Sequence, residues 1–218
     1  MCRERELKEI SFDSFSKFLE KRINDLKLGN FIIGGISMGF FIVNKLPFDH
    51  RCQGILAIEP YIDSNTLLFG RHTVKVLIIL ISGIQLLKLE RHLWESNLFK
   101  VILSRLKLPK NIIPSILAEY SPQTFFKLAK IILSNNEAIK FQNKPYVLLV
   151  NKDDGTVSYN YLVKVFKEKV NQLKIITTHV EHYPSDLSKQ YFEMMIPNSQ
   201  VIEVINFLFT TGPLVSTR

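Results

Sequence analysis

Cysteine is nearly missing from this chain: Cys2 and Cys52 are the only two in 218 residues. Two thiols without ligand spacing, one of them in a charged terminus, give neither a disulfide frame nor a metal site, so a reducing cytoplasm is the expected setting. The opening MCRERELKEI alternates charges where a secretory signal would need an apolar run. No stretch is long enough to cross a bilayer. The most membrane-like segment, VLIILISGIQLL at residues 76–87, falls short of the ~20 apolar residues a spanning helix requires and reads as a buried helix. Internal repeats and low-complexity tracts are absent. A dense basic run is missing too: the net charge is +8, but Lys and Arg are scattered among Glu and Asp with no nucleic-acid motif. A solvated surface is the reading, and nucleic acid is not an expected partner.

What is present is the composition of a globular domain. Hydrophobic residues make up 46% of the chain, enough for one domain over 1–218 to bury a large core. FDSFSKFLEKRINDLKL spaces Phe12, Phe15, Phe18, Leu19, Ile23 and Leu26 on one side of a helix from about 11 to 27. Strand-like apolar runs lie near 31–35, 54–59, 145–150 and 173–178, alternating with helical segments, which predicts an α/β fold with a parallel sheet. Between the second and third runs, helices are expected near 97–106 and 122–133, the latter started by Ser121 and Pro122. A last helix covers about 200–209.

The chemistry points to FIIGGISMGFFIVN, Phe31 to Asn44, where Ser37 stands at the centre of a Gly-x-Ser-x-Gly pentapeptide between a short strand and a helical run. In a strand-turn-helix elbow, a serine so placed is a nucleophile held in a strained turn, and Gly35 and Gly39 leave room where a Cβ would collide. The competing reading is a glycine-softened strand end whose serine only caps the next helix. Downstream, the strand in KPYVLLVNKDDGTVS runs into Asp153 and Asp154, and the strand in LKIITTHVEHYP runs into His179 and His182. Both acids, followed by Gly155, would also make an ordinary β-turn.

Serine, then acid, then histidine is the chain order of the α/β-hydrolases, and over nearly its whole length the sequence resembles that superfamily. The resemblance implies a parallel sheet with helices on both faces and a helical cap inserted at about 61–140. It favours Asp154, with Val157 three residues on, over Asp153, and His182, before Tyr183 and Pro184, over His179. Glu59 or Asp63, after the strand that follows the elbow, remain rivals for the acid, as some members place it there. His50, His72 and His92 read as surface residues. By resemblance Ser37, Asp154 and His182 form the triad and the backbone N–H of Met38 is one oxyanion donor, each such donor lowering the barrier by roughly 3–4 kcal/mol. The implied function is a serine hydrolase cleaving an ester, or a thioester or amide, of a small apolar substrate without cofactor or metal. Acyl transfer on the same triad and a pseudo-enzyme interaction role are the alternatives.

The main departure from the family pattern lies upstream. Before the elbow the family has four strands and a helix, whereas here a charged segment runs into one helix, with no Gly-rich strand end to supply the second oxyanion donor. An N-terminally shortened chain is the expected origin, ahead of a degenerate paralogue or a partner that supplies the rest, with full activity only in a longer form. FIIGG would then be an open apolar edge, and self-association through it is expected.

Overall fold

The computed structural model describes residues 10–68, 70–97, 99, 101, 120–135, 137, 139–179 and 198–210. Its sheet contains β1 (Phe31–Ile36), β2 (Cys52–Ile58), β3 (Tyr146–Asn151) and β4 (Leu173–Thr178), paired in chain order and parallel throughout. β3, YVLLVN, is buried at every position. A strand covered on both faces has no polar side to show, which is why its sequence is continuous and not alternating. The register sets Ile33 beside Ile55, Ile58 beside Leu149 and Asn151 beside Thr178. β2 starts earlier than its apolar run suggests, at Cys52, because Phe31 pairs with Cys52 before a register shift to Ile32 and Gly54. β1 and β4 are the two edges among the described strands.

Alternate side chains build a core on each face. On one, Ile55, Ala57, Tyr146, Leu148 and Val150 pack with Phe40 and Val43 of helix α2 (Met38–Asn44) and with Leu162 and Phe166 of a later helix, Tyr159–Lys169. On the other, Ile58, Val147, Leu149 and Ile176 pack with Val204 and Leu208 of the helix Asn198–Thr210. Helices therefore cover both faces. Among the described residues the helices are, in chain order, α1 (Phe12–Asp25), α2, α3 (Gly70–Leu86), α4 (Glu90–Glu95), α5 (Pro122–Ser134), α6 (Tyr159–Lys169) and α7 (Asn198–Thr210).

The start signal at Ser121 and Pro122 acts as read: Ser121 accepts the Thr124 N–H with Pro122 in the first turn of α5. At α1 the structure adds a reciprocal cap between Ser11 and Ser14. α1 lays Phe12 against Phe41 with ring centroids 4.5 Å apart. Between β2 and β3, the helices α3, α4 and α5 share a separate aromatic cluster in which Trp94, Phe99, Phe125 and Phe126 meet. The apolar segment 76–87 lies mostly within α3, but it is not buried all round. Ile81 is buried, whereas Val76, Ile79 and Leu80 are exposed among the described residues, because only one stripe of the helix meets α5. No helix of the described residues is long and apolar enough to cross a membrane. Of the helix expected near 97–106, most lies outside the described residues.

A polar tie fixes the far end of α2. The buried Tyr146 hydroxyl donates to Asn44 Oδ1 at 2.7 Å and accepts the Gln142 N–H at 2.9 Å, while Asn44 Nδ2 donates to the Lys140 carbonyl at 2.6 Å. Tyr146→Phe leaves the buried Asn44 oxygen and the half-buried Gln142 N–H without this partner. The expected cost is about 1–3 kcal/mol of stability, read as a lower urea midpoint at unchanged slope.

Candidate active site

Parallel strands end on one edge of the sheet, and in open α/β sheets that carboxyl edge is where ligands bind. Ser37 follows β1 there. Its backbone lies at φ 49° and ψ −123°, a conformation that costs an L-residue about 1–3 kcal/mol and persists only where the surroundings enforce it. Three hydrogen bonds do so. The Ser37 N–H donates to the Ile58 carbonyl at 2.9 Å, and the Ser37 carbonyl accepts from Phe40 at 3.1 Å and Tyr61 at 3.0 Å. Although Ser37 occupies the N-cap position of α2, its side chain makes no capping hydrogen bond. The reading of this serine as a mere helix cap is therefore set aside. Met38 opens α2, and first-turn N–H groups have no acceptor inside their own helix.

The two elbow glycines are not equivalent. A Cβ on Gly35 would lie 2.4 Å from Phe40 Cα and 2.5 Å from Phe40 N, inside the backbone of α2. A Cβ on Gly39 would meet nothing within 4 Å. The expectation that both glycines relieve a collision is corrected for Gly39: it sits within α2, where the added atom points into open space.

Beyond β3 the two aspartates separate clearly. Asp153 is exposed, its backbone N–H bound to Asn151 Oδ1 at 2.9 Å. Asp154 is 8% exposed, and its Oδ1 accepts the N–H of Thr156 at 2.5 Å and of Val157 at 2.9 Å. The Asp-x-x-Val pattern is thus a turn in which Val157, itself buried, helps hold the acid. A cleft of about 490 Å³ opens beside Asp154, with Lys152, Ser158 and Tyr159 in its wall. Asp63 is committed elsewhere. It caps the 3₁₀ turn Ser64–Thr66 through Asn65 and Thr66 and accepts the Tyr161 hydroxyl at 2.7 Å.

Glu59, a rival to Asp154 on sequence grounds, joins it instead. It directly follows β2, at φ 41° and 3% exposed. Its Oε1 accepts the Asn151 N–H at 2.5 Å, and its Oε2 has no donor among the described residues. Burial pushes its carboxyl up from an ordinary 4.5 to about 9, and the Asp154 carboxyl adds to the push, against the Asn151 N–H and the Thr178 hydroxyl. The acid closing GILAIEP, directly after a buried strand, is the signal in the sequence that marks it.

His182 lies outside the described residues. His50, His72, His92 and His179 are all exposed. Cys52 is buried, which raises its thiol to about 11, so it remains a protonated filler of the core.

Two outcomes are expected from these contacts. Gly35→Ala forces the helix backbone away and costs at least about 3 kcal/mol, whereas Gly39→Ala is neutral or stabilising by up to about 1 kcal/mol, as alanine is in a helix; thermal unfolding of both variants gives the comparison. The second concerns pH. The folded chain holds the Glu59 proton more tightly than the unfolded one, so its contribution is fully present below pH 4.5 and is lost as pH rises towards about 9. Stability falls across that window by at most about 1.4 kcal/mol per pH unit from this group. In Glu59→Gln that part of the slope disappears, as denaturant titrations from acid to alkaline pH would show.

No protein-family model and no curated protein sequence matches the chain. Solved structures do. An esterase from Exiguobacterium antarcticum superposes with a TM-score of 0.55 at 13% identity, over 92% of this chain and 72% of that one. A putative lipase from Acinetobacter baumannii gives 0.60 at 15% identity, over 93% and 69%. An epoxide hydrolase from Bacillus megaterium gives 0.56 at 11% identity, over 91% and 76%. Identities this low speak for architecture alone, and the parallel order of the sheet, the helices on both of its faces and the turn at Ser37 agree with it: this chain has the α/β-hydrolase fold.

Proposed function

We infer that this chain is a serine hydrolase acting on a carboxylic ester, thioester or amide, with Ser37 as nucleophile. The observation that carries this reading is the backbone of Ser37: a serine kept at positive φ, on a turn jammed by Gly35, with a side chain that does not cap the helix it precedes. Strain of this kind serves a nucleophile and gives nothing to a cap. Ser37 is a weak nucleophile at its own pKa, so a general base must take its proton and return it to the leaving group. His182 is the histidine assigned to that role. Asp154 fixes its tautomer and stabilises the imidazolium, and the Met38 N–H donates to the oxyanion. The esterase, lipase and epoxide hydrolase among the structural neighbours support a hydrolytic reaction. The aromatic cluster of α3, α4 and α5, in the place of a cap, supports a small apolar substrate.

The open edge at β1 favours a second reading, in which the chain also pairs with another through that strand. β1 has a neighbour only on its β2 side among the described residues, and an unpaired strand edge is a template for another strand. Light scattering that finds only a monomer would remove it.

The hydrolase reading is tested with a fluorophosphonate probe and a p-nitrophenyl ester. Ser37→Ala is expected to abolish labelling and turnover, with the label found on the Ser37 peptide of the parent chain, and Asp154→Asn to lower turnover by about 10⁴-fold. Turnover that survives Ser37→Ala removes Ser37 from the reaction.

A further inference from the structure

Glu59 combines two costs that a surface acid avoids: a positive φ of 41° and burial to 3% exposure. The groups that face its carboxyl come from three directions. β3 presents the Asn151 N–H, the end of β4 presents the Thr178 hydroxyl, and the loop after β3 presents the Asp154 carboxyl. Among the described residues Asp154 is the one ionisable group acting on it. Two ionised carboxylates in a buried site offer each other only lone pairs, and their repulsion is weakly screened there. A single proton turns that repulsion into a hydrogen bond. The donors decide which acid carries it. Asp154 Oδ1 takes two backbone N–H groups, at 2.5 and 2.9 Å, which favour its charged form, whereas Glu59 takes one backbone N–H, at Oε1, with the Thr178 hydroxyl beside it, and is the more deeply buried of the two, which favours its neutral form.

We propose that Glu59 and Asp154 form a carboxyl pair sharing one proton resident on Glu59, and that Glu59 is a positioning residue whose O–H holds the Asp154 carboxylate in the orientation its histidine partner needs. The orienting role rests on the serine-hydrolase reading of Ser37; the shared proton does not. Donation from Glu59 fixes one side of the Asp154 carboxylate and keeps the pair at a single negative charge. In alkali the proton leaves, the donor is lost and a second negative charge appears beside the first, so the acid loses its orientation.

The test uses the full chain with ¹³C-labelled glutamate carboxyls, and the variants Glu59→Gln, Glu59→Leu and Asp154→Asn. The Glu59 carboxyl, identified by its loss in Glu59→Gln, is expected to titrate far above the ordinary glutamate range and to move back towards it in Asp154→Asn. Fluorophosphonate labelling of Ser37 is then followed against pH. Glu59→Gln, which can still donate, keeps a rate close to the parent's at neutral pH and loses the alkaline decline; Glu59→Leu is slower by about 10- to 100-fold at every pH. If Glu59→Leu fails to fold, the titration and Glu59→Gln still decide. A Glu59 titrating in the ordinary range, or a Glu59→Gln as slow as Glu59→Leu, overturns the proposal. High titration without any labelling of Ser37 in the parent chain upholds the shared proton and overturns both the hydrolase reading and the orienting role.

Discussion

The approach of α2 to the end of β1 is the constraint on which the surrounding structure depends. Phe40 Cα lies where a side chain on Gly35 would begin, 2.4 Å from an ideal Cβ, so the chain reverses from strand to helix without a residue to spare. That approach sends Phe40 into the core on one face of the sheet and Phe41 into a second cluster with Phe12 and Tyr61. Both phenylalanines are fully buried. Each contributes on the order of 1.5–3 kcal/mol, which together exceeds the about 1–3 kcal/mol stored in the backbone of Ser37. The strained turn is therefore a local cost offset by the packing it creates, and the hydrogen bonds between Asn44 and Tyr146 hold the other end of the same short helix.

Much of this architecture is readable from the residues because local and global preferences agree. The strands β3 and β4 lie where their apolar runs put them, and the cap at Ser121 starts α5 as expected. The features that are not legible in the sequence depend on tertiary contact. The pentapeptide around Ser37 is symmetric on paper, but only Gly35 lies under another backbone, since strand and helix approach from one side. The run 76–87 looks uniformly apolar, and only its contact with α5 decides which stripe is buried. Cys52 and Gln53 carry no strand signal, and β2 extends over them through its pairing with Phe31. Asp153 and Asp154 differ by one position in a turn, which is enough to place one in solvent and the other among backbone donors. Glu59 and Asp154 look like alternatives because sequence orders acids along the chain, whereas β2 and β3 are neighbours in the sheet and bring both to one edge.

The carboxyl edge is accordingly richer in buried polar groups than the rest of the interior. Glu59, Asn151, Asp154 and Thr178 are all buried there, following or closing adjacent strands. Elsewhere along the same strands the buried side chains are apolar but for the Tyr146 hydroxyl. Most buried polar groups have hydrogen-bond partners; here Asn151, closing β3, gives its N–H to Glu59, and the turn that follows gives two N–H groups to Asp154. Registers such as Asn151 beside Thr178 thus position chemistry as well as backbone.

The second face of the sheet is closed by α7, which comes after all four strands in the chain. Leu208 seats in the notch left by Gly54, where even a methyl group would lie 2.7 Å from its Cδ2. Among the described residues, α7 is the helix that covers Ile58, Val147 and Leu149 on that side. During vectorial synthesis the part of that surface which α7 covers is therefore displayed until the helix has been completed and has emerged. The nascent chain is most exposed to misassociation just before that helix docks, and a holdase covering that one face would have its work ended by the arrival of a single helix.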